Sequence, residues 1–409
     1  MIVRKIKQEE YKRAQEFCAL AFEYRLTDGD KSPEAFMEKI TQKPASRQDL
    51  YWQSQWAAFE ADDHTMLSTF TVIPYQAHFD GHSMLMMGIG GVATLPQYRR
   101  LGGIRACFEA ALPDMYTQGA AFSYLYPFST AYYRKFGYEL GCECNRCKLL
   151  LSAMPKVAVG GKCQLLEAGV DLKEAFMQVD QVWQSKYNLM TLDEEIEYAW
   201  MDQANPFRDA EYTYLYRDDN GVPKGYLTFA LCVENGERSM NCSRFVFTDC
   251  QGFYGLLNLL LTLAADHKYA ILSLPTDVPL VTLLPEWSMG AVSRTRECAG
   301  MVRVINVEKA LRMARLRGSG QLILEIQDAQ IAQNNGCFEI CFEAGRVTDV
   351  QKTDQKPDLS MPIQEFSRLL VGCYDVDVFP YVSHVKLYCA PEKAAQIFYR
   401  KPLYINRYF

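Results

Sequence analysis

One order of elements, a strand meander followed by a helix and a further strand, runs twice through this chain at a spacing of about 150 residues. In the first pass Ile2-Val3-Arg4-Lys5-Ile6 reads as a strand, residues 9–24 as an amphipathic helix and 33–42 as a second helix. Residues 56–59, 67–72 and 84–94 are apolar or β-branched runs cut by turn signals such as Phe79-Asp80-Gly81-His82. Ile104, Cys107, Phe108, Ala111, Leu112 and Met115 then recur at threes and fours, the helical spacing. A strand over 121–126, a short helix ending near Phe136-Gly137 and closing strands to about Leu151 complete the pass. Pro155 and Gly160-Gly161 mark a boundary. The second pass runs through a strand (163–167), helices (172–187, 192–201), strands (212–216, 226–231, 244–249), a helix (252–266) and a strand (270–274). From about Thr295 the order changes to strands at 301–305, 320–326, 337–342 and 346–350, with helices at 306–316, 362–372 and 392–399. The expectation is an α/β (α+β) chain of three domains, 1–152, 153–293 and 294–409.

Charge and cysteine usage say what such a chain does not bind. Its 43 Lys and Arg against 49 Asp and Glu leave a net charge of −6, and no basic run reaches five residues. A nucleic-acid binder needs a phosphate-neutralising surface, so none is expected as partner. A mildly acidic chain favours encounter with cationic small molecules. The longest apolar run, 256–265, contains Asn258 and Thr262 and falls short of the roughly 20 residues that cross a bilayer. The opening Met1-Ile-Val-Arg-Lys turns charged where a signal peptide turns apolar, so a cytoplasmic protein without membrane association is expected. Fourteen cysteines are scattered along the chain, and only Cys142, Cys144 and Cys147 cluster. A zinc site needs a fourth ligand, and none of the five histidines is nearby in sequence, so no metal is expected.

The stretch that carries chemistry is Gly90-Gly91-Val92-Ala93-Thr94-Leu95-Pro96-Gln97-Tyr98-Arg99-Arg100-Leu101-Gly102-Gly103-Ile104. A strand ends in a Pro-containing turn, two arginines and two glycines follow, and a helix begins at once. The first N–H groups of a helix lack internal partners, and the positive end of its dipole adds to them. Glycine lets the backbone approach a bound phosphate closely, so the segment reads as an anion cradle. The spacing is not that of a P-loop. It resembles the coenzyme A pyrophosphate loop of the GNAT acetyltransferases, Arg/Gln-x-x-Gly-x-Gly/Ala, with Arg99, Gly102 and Ile104 at the three marked places. Ile104 departs from the small residue of that pattern. The resemblance implies coenzyme contacts from Gly91, Val92, Ala93 and Thr94 on the strand, and from Arg99, Arg100, Leu101, Gly102, Gly103 and Ile104 on the loop.

Ala131-Tyr132-Tyr133-Arg134-Lys135-Phe136-Gly137-Tyr138 is similar to the signature that closes the same fold, in which a tyrosine faces the coenzyme sulfur. Aligned on Phe136-Gly137-Tyr138, that tyrosine is Tyr133. Amine attack on a thioester expels a thiolate, and a phenol, protonated at neutral pH, can return a proton to it. Over its whole length the chain resembles the Eis (enhanced intracellular survival) family: a GNAT domain, a degenerate GNAT domain and a sterol-carrier-like α/β domain. In the second pass Thr248-Asp249-Cys250-Gln251-Gly252 stands where a coenzyme loop would, with an acidic residue facing any phosphate.

What the resemblance implies is an acetyl-CoA-dependent N-acetyltransferase acting on a polyamine-type or aminoglycoside-like amine, by direct attack in a ternary complex. The family uses its C-terminal carboxylate as base, which falls on Phe409, and its members form hexamers. A cationic substrate needs acidic and aromatic walls, for which Glu23, Tyr24, Asp28, Trp52, Trp56, Phe79 and Tyr408 are the candidates. Tyr408, beside the terminal carboxylate, supplies no second anion. Cys107, two turns into the cradle helix, reads as core and not as a nucleophile. The rival readings are a non-catalytic acyl-CoA-binding sensor and a protein-lysine acetyltransferase.

Overall fold

The computed structural model describes residues 1–26, 32–42, 44, 46–284, 286 and 288–408; Asp28 and Phe409 lie outside the described residues. The chain divides into two units. One holds Met1–Cys142, Ala299–Lys401 and Ile405–Phe409, and the other Glu143–Cys298 with Pro402–Tyr404.

In chain order the first strands are β1 (Ile2–Lys5), β2 (Gln55–Phe59), β3 (Met66–Phe79), β4 (His82–Thr94), β5 (Phe122–Leu125) and β6 (Glu139–Leu140). Next come β7 (Glu143–Leu150), β8 (Lys162–Leu165), β9 (Glu211–Arg217), β10 (Pro223–Glu234), β11 (Glu237–Phe247), β12 (Tyr269–Pro275) and β13 (Val292–Cys298). The last are β14 (Met301–Val304), β15 (Gly320–Gln327), β16 (Gly336–Glu343), β17 (Arg346–Thr353), β18 (Leu359–Pro362) and β19 (Lys386–Leu387). They form three sheets, ordered β1-β2-β3-β4-β5-β14-β6, β13-β7-β12-β11-β10-β9-β8 and β17-β16-β15-β18-β19.

Two strands leave the domains in which the sequence reading puts them. The expected boundary near residue 152 makes β7 the close of the first domain, yet β7 pairs with β12 and β13 in the second sheet. Cys147 and Leu149 bury there beside Leu256, Leu260 and Leu272. Residues 301–304, expected to open the C-terminal domain, instead pair as β14 with β5 and β6 in the first sheet. All four residues of β14 are buried. A strand buried on both faces shows no alternation, so its pattern does not say which sheet it joins. Residues 192–201, expected to be a helix, form a 3₁₀ helix, Glu195–Gln203, held at its start by reciprocal Glu194 and Glu197 contacts.

The core of the first sheet centres on Phe108 of the helix Gly103–Thr117. Its ring lies 4.3 Å from Phe136, 4.7 Å from Phe70 and 6.1 Å from Tyr133. The C-terminal domain packs into the same unit. Ser367 of the helix Ile363–Val371 accepts the Val304 N–H at 2.9 Å, and Lys401 forms a buried ion pair with Asp80 at the tip of the β3–β4 hairpin. Arg303 of β14 is wholly buried, and its Nη2 donates to both carboxylate oxygens of Asp328 at 2.8 and 2.7 Å.

Candidate functional site

The site opens where two parallel strands part. β4 and β5 pair from Met86↔Phe122 to Ile89↔Leu125; β5 then ends, while β4 runs on to Thr94 against β3 alone. Opposite β3 the register slips between Thr69 and Thr71, and Gly91 takes φ 62° within the resulting bulge. Residues 90–94 therefore turn one backbone edge toward open space on the side that β5 has left. A Cβ at Gly91 would come within 3.2 Å of the Cys18 sulfur, a second reason for glycine there.

From β4 the chain passes through Pro96–Tyr98 into Arg99 and Arg100, the latter at φ 68°, and reaches Gly102 at φ 85° as the N-cap of the next helix. No side chain caps this start. The first intrahelical bond runs from the Ala106 N–H to the Gly102 carbonyl, and among the described residues no acceptor takes the amides of 100–105. Gly103 is required by close packing, since a Cβ there would lie 2.5 Å from the Ser68 hydroxyl oxygen. Ile104 turns its side chain into the core with Phe70 and Phe108, so its bulk is absorbed away from the loop.

The second pass builds the same junction closed. Its helix Cys250–Leu261 is capped by Asp249, whose carboxylate accepts the Gly252 N–H at 2.9 Å and pairs with Lys224 at 2.8 Å. An internal anion occupies the place an external one would take.

Tyr133 comes from the short helix Thr130–Arg134, started by the Ser129 side chain. Gly137 at φ 83° ends the turn: the Gly137 N–H bonds to the Arg134 carbonyl at 3.1 Å and the Tyr138 N–H to the Tyr133 carbonyl at 3.4 Å. This pair of bonds is the Schellman stop, so the Tyr133–Tyr138 signature is a helix terminus written in sequence. Tyr133 is 2% exposed, edge-on to Phe108 and Phe128, and burial raises its hydroxyl above the ordinary phenol range. It stays neutral through physiological pH.

A cavity of about 1050 Å³ joins these parts. Gly91, Val92, Thr94, residues 98–105 and Tyr133 line it, together with Phe22, Tyr126, Phe128, Lys135 and Tyr408. Arg99, Arg100, Arg105 and Lys135 give it four cations, none in an ion pair among the described residues. Such a wall suits a phosphorylated ligand. Ala93 is buried on the other face of the strand, in the cluster around Phe17 and Phe59, and can contribute backbone only. Arg105, Lys135, Phe22 and Phe128 were not legible as lining residues, because sequence spacing does not reveal what converges across a cleft.

The expected substrate walls scatter. Tyr408 lines the cavity, its ring 4.4 Å from Tyr126. Phe79 is fully buried, 4.9 Å from Phe122, so it is core and not wall. Trp52 packs 6.3 Å from Tyr11, and Trp56 lies partly buried under Lys5 at the β1–β2 edge. Glu23, at φ 57°, and Tyr24 are exposed just beyond the first long helix and do not line the cavity. Cys107 is wholly buried and its thiol is pushed up to about 12 by burial, so no thiolate is available from it. Among the described residues no group of His, Cys, Asp and Glu could hold a metal ion, and no helix is long and apolar enough to cross a membrane.

Residues 2–141 match an acetyltransferase (GNAT) domain, 194–304 a second acetyltransferase (GNAT) domain, and 307–405 a sterol carrier protein domain. No curated protein is recognisably similar in sequence. Among solved structures, a GCN5-related N-acetyltransferase from Anabaena variabilis shares 19% identity at a TM-score of 0.82, covering 100% of both chains. A conserved protein of unknown function from Enterococcus faecalis shares 21% at 0.80, covering 100% of this chain and 99% of that one. Eis1 from Mycobacterium abscessus shares 15% at 0.78, covering 100% of both. At these identities the likeness is one of fold: two GNAT domains and a sterol carrier protein domain in mixed α/β sheets.

Proposed function

We propose, for a chain that is a GNAT acetyltransferase of Eis-like build, that it moves the acetyl group of acetyl-CoA directly onto a primary amine of a small molecule in a ternary complex. The observation that carries this reading is the uncapped helix start at Gly102 beside the parted strands, with Tyr133 on the same cavity. The free amides of 100–105 and the cations Arg99, Arg100, Arg105 and Lys135 suit the coenzyme's phosphates. The open edge of residues 91–94 suits the amides of its pantetheine arm. The acetyl thioester supplies the activated carbonyl.

The acceptor nitrogen attacks that carbonyl carbon; the C–N bond forms, the C–S bond breaks and the electron pair goes to sulfur. The Tyr133 hydroxyl donates to the departing sulfur. Burial raises the phenol, and the same dry surroundings raise the leaving thiol, which keeps the two matched. The proton lost by nitrogen goes to a base, which we assign to the terminal carboxylate of Phe409; Tyr408 at the cavity wall supports a tail that reaches the site. Burial of Cys107 weighs against a covalent acyl-enzyme. A polyamine or aminoglycoside acceptor finds no acidic side chain among the described lining residues. The hexamer and the cytoplasmic location belong to the same proposal, the first tested by mass in solution.

The direct test is release of coenzyme A, followed with a thiol reagent, across monoamines, polyamines, aminoglycosides and lysine peptides, with acceptor-free controls for the fourteen cysteines. Acceptor-dependent release is expected, and Tyr133→Phe should lower kcat about 100-fold with acetyl-CoA affinity unchanged. Binding of acetyl-CoA without transfer to any acceptor would leave a sensor instead. One residue added after Phe409 moves the carboxylate by about 3.5 Å and should cut turnover by a similar factor. Unchanged kinetics would remove Phe409 from the mechanism.

A further inference from the structure

The helix that carries Tyr133 spans only Thr130–Arg134, too short to hold itself in place. Its Schellman stop uses one lone pair of the Arg134 carbonyl, and the Lys135 carbonyl follows with no backbone donor among the described residues. Both carbonyls are met from outside the acetyltransferase domain. Gln364, at the start of the helix Ile363–Val371, donates its side-chain N–H to the Arg134 carbonyl at 2.9 Å. Gln330, in the loop after β15, donates to the Lys135 carbonyl at 3.4 Å. Beneath the same turn Arg303 lies against Gly137, where a Cβ would fall 1.5 Å from its Nη1. Arg303 is fixed in turn by Asp328, which also accepts the N–H groups of Gln330 and Ile331 at 2.9 and 3.2 Å.

The terminus of the Tyr133 helix is thus gripped on two carbonyls by one domain and floored by an arginine that the same domain orients. We infer that Gln364 and Gln330 are positioning residues for Tyr133, and that the sterol carrier protein domain serves acetyl transfer by fixing the proton donor's turn. The inference rests on the role given to Tyr133 above. A hydroxyl displaced by a fraction of an ångström from the leaving sulfur loses much of its effect on the rate, while coenzyme binding, set by the 99–105 loop, does not change.

The experiment is a double-mutant cycle on the full-length protein. Glutamate has the length of glutamine, but when ionised it only accepts hydrogen bonds, so the double variant Gln330→Glu/Gln364→Glu removes both donors without shortening either side chain. It is measured in the Tyr133 and in the Tyr133→Phe backgrounds, with Gln330→Lys/Gln364→Lys as the variant that restores a donor. We expect kcat to fall about 10-fold with glutamates in the Tyr133 background and less than 2-fold in Tyr133→Phe, with the acetyl-CoA dissociation constant unchanged and the lysines recovering most of the loss. An equal loss in both backgrounds would reduce the two glutamines to general scaffolding. No loss at all would overturn the inference as well. If Tyr133→Phe alone keeps full activity, the role of Tyr133 itself fails, and that arm reports it separately. If the glutamate pair does not fold, the cycle is run with single alanine variants, and the same comparison of backgrounds decides.

Discussion

Asp180 sits buried in the second unit between two phenols, Tyr198 and Tyr226, each donating at 2.6 Å. Loss of hydration outweighs those two bonds and lifts its carboxyl to about 6, from 3.8 when unburied. The folded state therefore holds a proton that the unfolded chain has already lost. Stability from this group is fully present below about pH 4 and drains away as the pH rises through about 6. Asp180→Asn removes that dependence. The difference between variant and parent in urea midpoint should shift in favour of the variant between pH 4 and 7, and a constant difference would mean that the carboxyl does not titrate there. Tyr133 presents the opposite case. Its buried hydroxyl is raised beyond the working range, so no limb of the rate profile between pH 6 and 9 should belong to it. The two residues differ in what their surroundings in sequence reveal. Tyr133 was singled out by the resemblance of Ala131–Tyr138 to a family signature, a stretch that the structure forms into a helix stop at Gly137, whereas a buried acid leaves no pattern at all.

At the scale of single elements, the two strand-to-helix junctions show how much one residue decides. With Gly102 the helix start is open, and with Asp249 it is closed by its own side chain. That contrast was readable directly, as was the helix through Ile104 and Met115, since capping and periodicity are local. Gly103 could be marked as part of a coenzyme loop, but the reason it must be glycine lies across the sheet at Ser68. Gly103→Ala drives a methyl to 2.5 Å from the Ser68 hydroxyl oxygen, which also bonds to Thr94 at 2.9 Å. We expect a stability loss of about 1–3 kcal/mol and weaker acetyl-CoA binding. The pairing of Gly103→Ala with Ser68→Gly should restore both, as read by thermal unfolding and by titration calorimetry. A Gly103→Ala protein as stable and as tight as the parent would contradict the packing argument. Phe79, by contrast, is an aromatic whose buried position could not be read from its neighbours in sequence, because the face a hairpin end buries depends on the strands beside it.

For the molecule as a whole, the consequential element is β14. It completes the first sheet between β5 and β6, yet it is encoded after Glu143–Cys298 of the second unit. No periodicity within residues 1–152 announces the missing strand, which is why the domain boundaries read from sequence put both exchanged strands in the wrong sheet. A fragment ending at Cys142 should leave the edge of β5 bare, fail to unfold cooperatively and bind no acetyl-CoA. The Ala299 N–H donates to the Cys142 carbonyl at 2.9 Å, so a short glycine linker can replace 143–298. That deletion variant should recover a cooperative thermal transition, measured by calorimetry. A folded, coenzyme-binding 1–142 fragment would show that β14 is dispensable.

The same strand sets a clock during synthesis. The codons for β14 follow those for β6 by about 160 residues, which at 5–20 residues per second is roughly 10–30 s of translation. Through that interval the nascent acetyltransferase sheet waits on the ribosome with an unpaired apolar edge at β5, a template for stray pairing. A protein laid out this way depends on whatever shields that edge until β14 is made, and its yield should respond to translation speed between codons 140 and 300 more than to the stability of the finished fold.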